Sequence, residues 1–152
     1  MSALAQFKLL FTGRDSCYGV HVPDKSPHVE GEKRKGSSYT EKTAITDEVY
    51  EEHIKGTKSI GIAPLTGANK VWFAAIDIDV YPLDPRRFCF FFAKYSLPFT
   101  VFKSKSGGAH AFIFFAKETE ARAVIQQLER TVSLLGLPKD TEIFPKQAST
   151  EA

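Results

Sequence analysis

The chain has 152 residues, 43% hydrophobic and 25% charged, which allows one globular domain with a single core, over residues 1–152, and leaves no room for two ordinary ones. Thirteen Phe, five Tyr and one Trp exclude a disordered low-complexity chain. Twenty Lys and Arg against eighteen Asp and Glu leave a net charge of only +2, so any signal for a polyanionic partner has to be local.

Cys17 and Cys89 form neither a C-x-x-C pair nor a disulfide framework, which predicts two buried free thiols. The first ten residues lack a charged region followed by a long apolar stretch. No apolar run reaches the roughly 18 residues of a membrane span. These features imply a soluble, cytoplasmic protein with no membrane partner.

In chain order, residues 7–11 make a short apolar element ending in the turn Thr12-Gly13-Arg14-Asp15, and residues 17–22 predict a strand. The Gly-Glu-Lys-Arg-Lys-Gly-Ser-Ser run at 31–38 predicts a flexible insert with turn-rich flanks at 21–27 and 39–44. A helix is expected from Thr46 as N-cap, with Asp47 and Glu48 in its first turn, Val49, Tyr50, His53 and Ile54 at helical spacing, and Gly56 as terminator. Residues 59–64 predict a short strand.

The run at 71–81 is the strongest strand, β-branched and aromatic almost throughout, and its apolar residues on both faces imply a central position. Pro85 opens a helix carrying Phe88, Phe91, Phe92 and Tyr95, closed by Leu97-Pro98. Strands are expected at 100–103 and 109–115, joined by the loop 104–108. The stripe Ala121, Val124, Ile125, Leu128, Val132 and Leu135 predicts a longer helix stopped by Gly136, and residues 142–144 predict a last strand. This order implies an α+β fold, a mainly antiparallel sheet with helices packed on one face, of the ferredoxin-like or RNA-recognition-motif (RRM-like) kind.

Three segments carry candidate chemistry. Asp77 and Asp79 sit two apart in an apolar strand, so both carboxylates share a face, about 6–7 Å apart along it. Two buried like charges need compensation, and a divalent Mg²⁺ or Mn²⁺ with hard oxygen ligands supplies it. The alternative is that both lie at the strand's solvent end, pairing with Lys or capping a turn. In the second segment, residues 104–110, paired glycines Gly107 and Gly108 allow backbone N–H groups to approach an anion, Lys105 and Ser106 add donors, and His110 is placed to hold a phosphate oxygen. A glycine-rich hairpin turn with a surface lysine is the alternative. The third segment, residues 140–147, brings Glu142 and Lys146 after the long helix, where Glu142 either completes a three-carboxylate site or is an exposed charge at a strand start.

Together these segments, with Phe11-Thr12-Gly13-Arg14-Asp15, Tyr18 and Ile60-Gly61-Ile62-Ala63-Pro64-Leu65, resemble the archaeo-eukaryotic primase superfamily. The resemblance covers most of the chain and is closest to the primase-polymerases of bacterial conflict systems and CRISPR loci. It implies a primase palm preceded by an N-terminal α/β unit, and template-directed nucleotidyl transfer from dNTPs or NTPs on a single-stranded or primed DNA template, by a monomer. It further implies that Asp77, Asp79 and a third acid bind two Mg²⁺ or Mn²⁺ ions, and that Lys105, Ser106, Gly107, Gly108 and His110 hold the triphosphate. Glu142 is the candidate third acid, with Asp140 as the alternative on the same strand face. Arg14 and Lys146 are candidate phosphate contacts. Lys103 makes this loop more basic than the family pattern, and further sheet residues are expected after the Phe-Pro-Lys-Gln segment, so the chain is expected to be a pared-down core. A nucleotide-binding palm without turnover and a metal-dependent nuclease are the competing functions.

Overall fold

The computed structural model describes residues 1–25, 27, 35–104 and 107–151. Helix α1 (Ala3–Leu10) is capped by the Ser2 hydroxyl, which accepts the Ala5 N–H. Strands β1 (Tyr18–Pro23), β2 (Gly36–Glu41) and β3 (Ser59–Gly61) form an antiparallel sheet in the order β2-β1-β3, and α2 (Asp47–Ile54) lies between β2 and β3 in sequence. Thr46 caps α2 as expected, its hydroxyl accepting the Val49 N–H.

The remaining elements are β4 (Lys70–Ile78), α3 (Pro85–Lys94), β5 (Thr100–Lys103), β6 (Ala109–Glu120), α4 (Ala121–Leu134) and β7 (Glu142–Phe144). Their sheet runs β5-β6-β4-β7, with every neighbouring pair antiparallel. Counted within this β-α-β-β-α-β unit the order is fourth, first, third, second, which is the ferredoxin-like arrangement that the element order implied.

Strand β4 is central, as its two apolar faces required. Ala74, Ile76 and Ile78 are buried with Phe92 of α3 and with Val124, Leu128 and Val132 of α4. That face is the core, and the opposite face carries Phe73, Ala75 and Asp77. Thr131, the buried polar residue of α4, is satisfied by donating to the Gln127 carbonyl at 2.8 Å. Asp84 caps α3 through the Arg86 N–H, and Pro85 occupies its first turn.

Several expectations are corrected. Residues 36–41, placed in the insert and its turn-rich flank, form β2, because all six residues of β1 find ladder partners there and Tyr39 and Thr40 suit a strand. Of the rest of that insert, residues 31–34 lie outside the described residues. Strand β4 stops at Ile78, leaving Asp79 and Tyr81 just past its end, and β6 continues to Glu120 because the register shifts at Val71/Phe73 and then resumes. The thiols are not both buried: Cys17 is half-buried and Cys89 is exposed on α3. Among the described residues, no helix is long and apolar enough to cross a membrane.

Candidate active site

The register of the larger sheet draws one row of side chains across all four strands. His110 on β6 pairs with Asp77 on β4, Glu142 on β7 pairs with Asp77 from the other side, and Phe102 on β5 pairs with His110. Directly opposed residues of an antiparallel ladder share a face, so Phe102, His110, Asp77 and Glu142 stand side by side on the face opposite the α3–α4 core. Sequence positions up to 65 residues apart from Asp77 are thereby brought to one line, since 142 − 77 = 65.

His110 Nε2 lies 3.2 Å from Asp77 Oδ1. The contact is an ion pair when the imidazole is protonated, and Oδ1, although buried, accepts no hydrogen bond among the described residues. The Asp77 carboxylate raises the imidazole pKa, burial opposes it, and the charge of Asp79 adds to the rise. Glu142 is answered in the same way, its Oε1 accepting from Lys146 Nζ at 2.6 Å, and that ammonium also lies 5.0 Å from the centre of the Phe144 ring. Two of the three candidate carboxylates thus face a basic side chain, Lys146 at Glu142 and, at Asp77, an imidazole that is a cation when protonated.

Asp79 follows the end of β4, and its Oδ1 accepts a hydrogen bond from Tyr81 Oη at 3.2 Å. Ser104 and Gly108 lie close to it. Ser104 N–H donates to the Gly108 carbonyl at 2.8 Å, and Gly107 N–H donates back to the Ser104 carbonyl at 3.2 Å. Gly107 adopts φ +90°, a conformation open to glycine. Any Cβ on Gly108 would lie 2.6 Å from the Ile78 carbonyl oxygen and 3.2 Å from both Asp79 Oδ1 and Ser104 Oγ. The second glycine is therefore required by its close approach to the Ile78 carbonyl at the end of β4.

Of the candidate residues, the structure brings Asp77, Glu142, His110 and Lys146 together in the row, and Asp79, Gly107 and Gly108 at its rim. Lys105 and Ser106 lie outside the described residues. Asp140 sits in the turn closed by Thr141 N–H to the Pro138 carbonyl, ahead of β7, so the two-residue period does not place it beside Glu142. The Arg14 N–H donates to the Ala63 carbonyl at 2.9 Å, and among the described residues no ion pair joins its guanidinium to Asp77 or Glu142. Tyr81 and Phe102 were not foreseen. Tyr81 continues the alternation of Asp77 and Asp79, which was a usable signal, whereas Phe102 joins the site only through the pairing of β5 with β6.

Among the described residues, no three His, Cys, Asp or Glu side chains are gathered closely enough to hold a metal as they stand. The donor set nonetheless suits a hard divalent cation: Asp77, Asp79 and Glu142 offer carboxylate oxygens, and the buried Asp77 Oδ1 lacks a donor of its own.

The site is thus a ferredoxin-like α+β unit with carboxylates on and just past its central strand and Gly108 packed against that strand's end. The chain is a member of the family described as TOTE conflict system, Archaeo-Eukaryotic Primase domain, whose model matches residues 2–150. No curated protein matches the sequence.

Proposed function

We propose that this domain catalyses template-directed nucleotidyl transfer from dNTPs or NTPs to a primer 3′-hydroxyl on DNA. The observation that carries the proposal is the convergence of His110 and Glu142 on Asp77 from the two neighbouring strands, with Asp79 and the glycine loop at the row's end. Asp77, Asp79 and Glu142 would hold two divalent cations, Mg²⁺ or Mn²⁺, which lower the pKa of the attacking hydroxyl and neutralise the pyrophosphate leaving group. The protein's own contribution is placement. The rigid β4 backbone fixes Asp77, Gly107 and Gly108 let the chain lie against the end of β4, and His110 would donate to a phosphate oxygen from Nε2. His110 and Lys146 lie against Asp77 and Glu142, and each would be available to phosphate oxygens if its carboxylate held a divalent cation instead.

Those same pairings favour a second function, a nucleotide-binding palm without turnover, in which the basic side chains stay in place. Primer extension with Mn²⁺ and labelled dNTPs separates the two. Extension by the wild type that is lost in Asp77→Ala/Asp79→Ala, with folding confirmed by circular dichroism, is the expected outcome. Metal-dependent dNTP binding with no extension would overturn the polymerase function in favour of the binding module.

A further inference from the structure

Helix α3 turns an unusual face to solvent. Phe90 is 80% exposed, the largest exposure of any aromatic residue among those described. Its helical neighbours, three and four residues away, are Arg86, Arg87, Ala93 and Lys94, all exposed. The helix therefore presents an aromatic ring with three cations around it, while Phe92 on the opposite side is buried in the core. No acidic residue lies within Pro85–Lys94, and Asp84 is engaged in capping the Arg86 N–H. Among the described residues, neither Arg86 nor Arg87 forms an ion pair, and Lys94 meets the Tyr95 ring at 5.3 Å.

In a chain of net charge +2 this +3 face is a local concentration that the fold does not use. A Phe so exposed at the centre of a helix face adds little to the core, and a flat ring flanked by two guanidinium groups and an ammonium matches the alternation of base and phosphate in a single strand. An acidic protein helix would satisfy the cations but would set carboxylates, not a stacking partner, against the ring. Helix α3 packs under β5, the open edge of the sheet, where Phe102 is 48% exposed on the carboxylate face. A strand on α3 is thus one sheet edge away from the site.

We propose that the outward face of α3 is a docking surface for single-stranded nucleic acid, with Phe90 stacking a base and Arg86, Arg87 and Lys94 meeting phosphates. The choice of nucleic acid as occupant rests on the polymerase function proposed above and adds to it a strand-holding surface on the far side of the sheet from the carboxylates.

Fluorescence anisotropy with a labelled oligo-dT 20-mer tests this on the full chain, because all the substituted side chains are exposed and their variants keep the core. Phe90→Ala is expected to weaken binding about tenfold, the usual scale of losing one stacked base. Arg86→Glu/Arg87→Glu is expected to weaken it at least as much and to flatten the dependence of log K on log salt by about 0.7 for each lost phosphate contact. Phe90→Trp is expected to bind like the wild type, with its new indole, read against the single native Trp72, quenched by the oligonucleotide. Equal binding by all variants, or no binding by the wild type, overturns the proposal. So does quenching of Phe90→Trp by poly-Glu and not by oligo-dT, which would make the face a protein-docking surface. Primer extension run in parallel separates the two levels. Extension that persists alongside α3-independent strand binding sinks this surface alone, whereas α3-dependent binding without extension sinks the polymerase function and leaves the surface standing.

Discussion

Asp77 Oδ1 and His110 Nε2 face each other at 3.2 Å across the β4–β6 ladder, and the carboxylate oxygen has no hydrogen bond to fall back on. The imidazole pKa is raised above its ordinary 6.5 by this carboxylate. A group whose folded pKa is raised contributes stability that is full below its unfolded value and fades as pH climbs through the folded one. In EDTA, the wild type is therefore expected to lose stability relative to His110→Gln as pH rises from about 6.5 upward through the raised value. Mn²⁺ affinity should move the opposite way, since the imidazolium and the metal compete for Asp77, and the wild type should gain affinity over the same window while His110→Gln stays flat. Thermal melts and Mn²⁺ titrations across that range check both. Parallel slopes in wild type and variant would show that the pair does not govern either property.

Tyr81 links the two halves of the site. Its hydroxyl donates to Asp79 Oδ1, and its ring stands 3.9 Å from where a Cβ on Gly107 would be. Hydrogen bonds from behind a metal-binding carboxylate fix its orientation, and their removal commonly costs about 10- to 100-fold in metal affinity. Tyr81→Phe is expected to weaken Mn²⁺ binding by about tenfold without nucleotide present, at the low end of that range because the pair is exposed. Its melting temperature in EDTA should be unchanged. Mn²⁺ electron paramagnetic resonance gives the free-metal concentration directly, and an unaltered affinity would remove Tyr81 from the site.

Gly108 tests whether the loop must lie against β4. Its substitution by Ala would place a methyl 2.6 Å from the Ile78 carbonyl oxygen, a backbone atom held in the ladder that cannot yield cheaply. The expected cost is about 1–3 kcal/mol, the range of forced overpacking, with loss of triphosphate binding because the loop lifts away from Asp79. Gly67→Ala is the control, as nothing lies within 4 Å of the position its Cβ would take. Denaturant melts and a tripolyphosphate titration distinguish the pair, and equal behaviour of the two variants would mean the loop has room to spare.

Most elements of the palm were legible because each advertised itself locally: Pro85 and Thr46 marked helix starts, Gly136 a helix stop, and the 71–81 run a central strand, although it ends at Ile78. Strand β2 was not legible, since Gly36, Ser37 and Ser38 are poor strand formers that β1 recruits through six ladder partners. The acidic pair Asp77 and Asp79 was visible as a two-residue period. Which residue would face Asp77 from the far edge was not, because Asp140 and Glu142 share that period and only the Asp77–Glu142 register decides between them. The same limit hid Phe102. The basic side chains that face Asp77 and Glu142 were also beyond the sequence, for the pairing of His110 and Lys146 with these carboxylates depends on register and side-chain reach.

Phe11 couples the N-terminal sheet to the palm. It is the C-cap of α1, and its ring meets Phe73, Phe112 and Phe114 edge-on at 5.2, 5.4 and 5.5 Å, on the same face of the larger sheet as Asp77. Phe7, one helical turn earlier, touches both Phe11 and the α2 residues Tyr50 and His53, so the chain of rings runs from α2 through α1 onto β4 and β6. Phe11 is half-buried, so Phe11→Ala should cost less than the roughly 3–5 kcal/mol of a full core truncation, about 2 kcal/mol, with the three edge-on contacts as its main part. Hydrogen exchange is the informative measurement, because loss of the coupling should raise exchange in β1 and β3 while β4, held by β6 and β7, stays protected. Arg14 lies three residues beyond Phe11 and is fixed by its backbone bond to Ala63, so a loosened N-terminal sheet should also weaken triphosphate binding if Arg14 is a phosphate contact. Uniform exchange across both sheets would instead mean that they unfold as one unit and that the coupling runs through more than this ring.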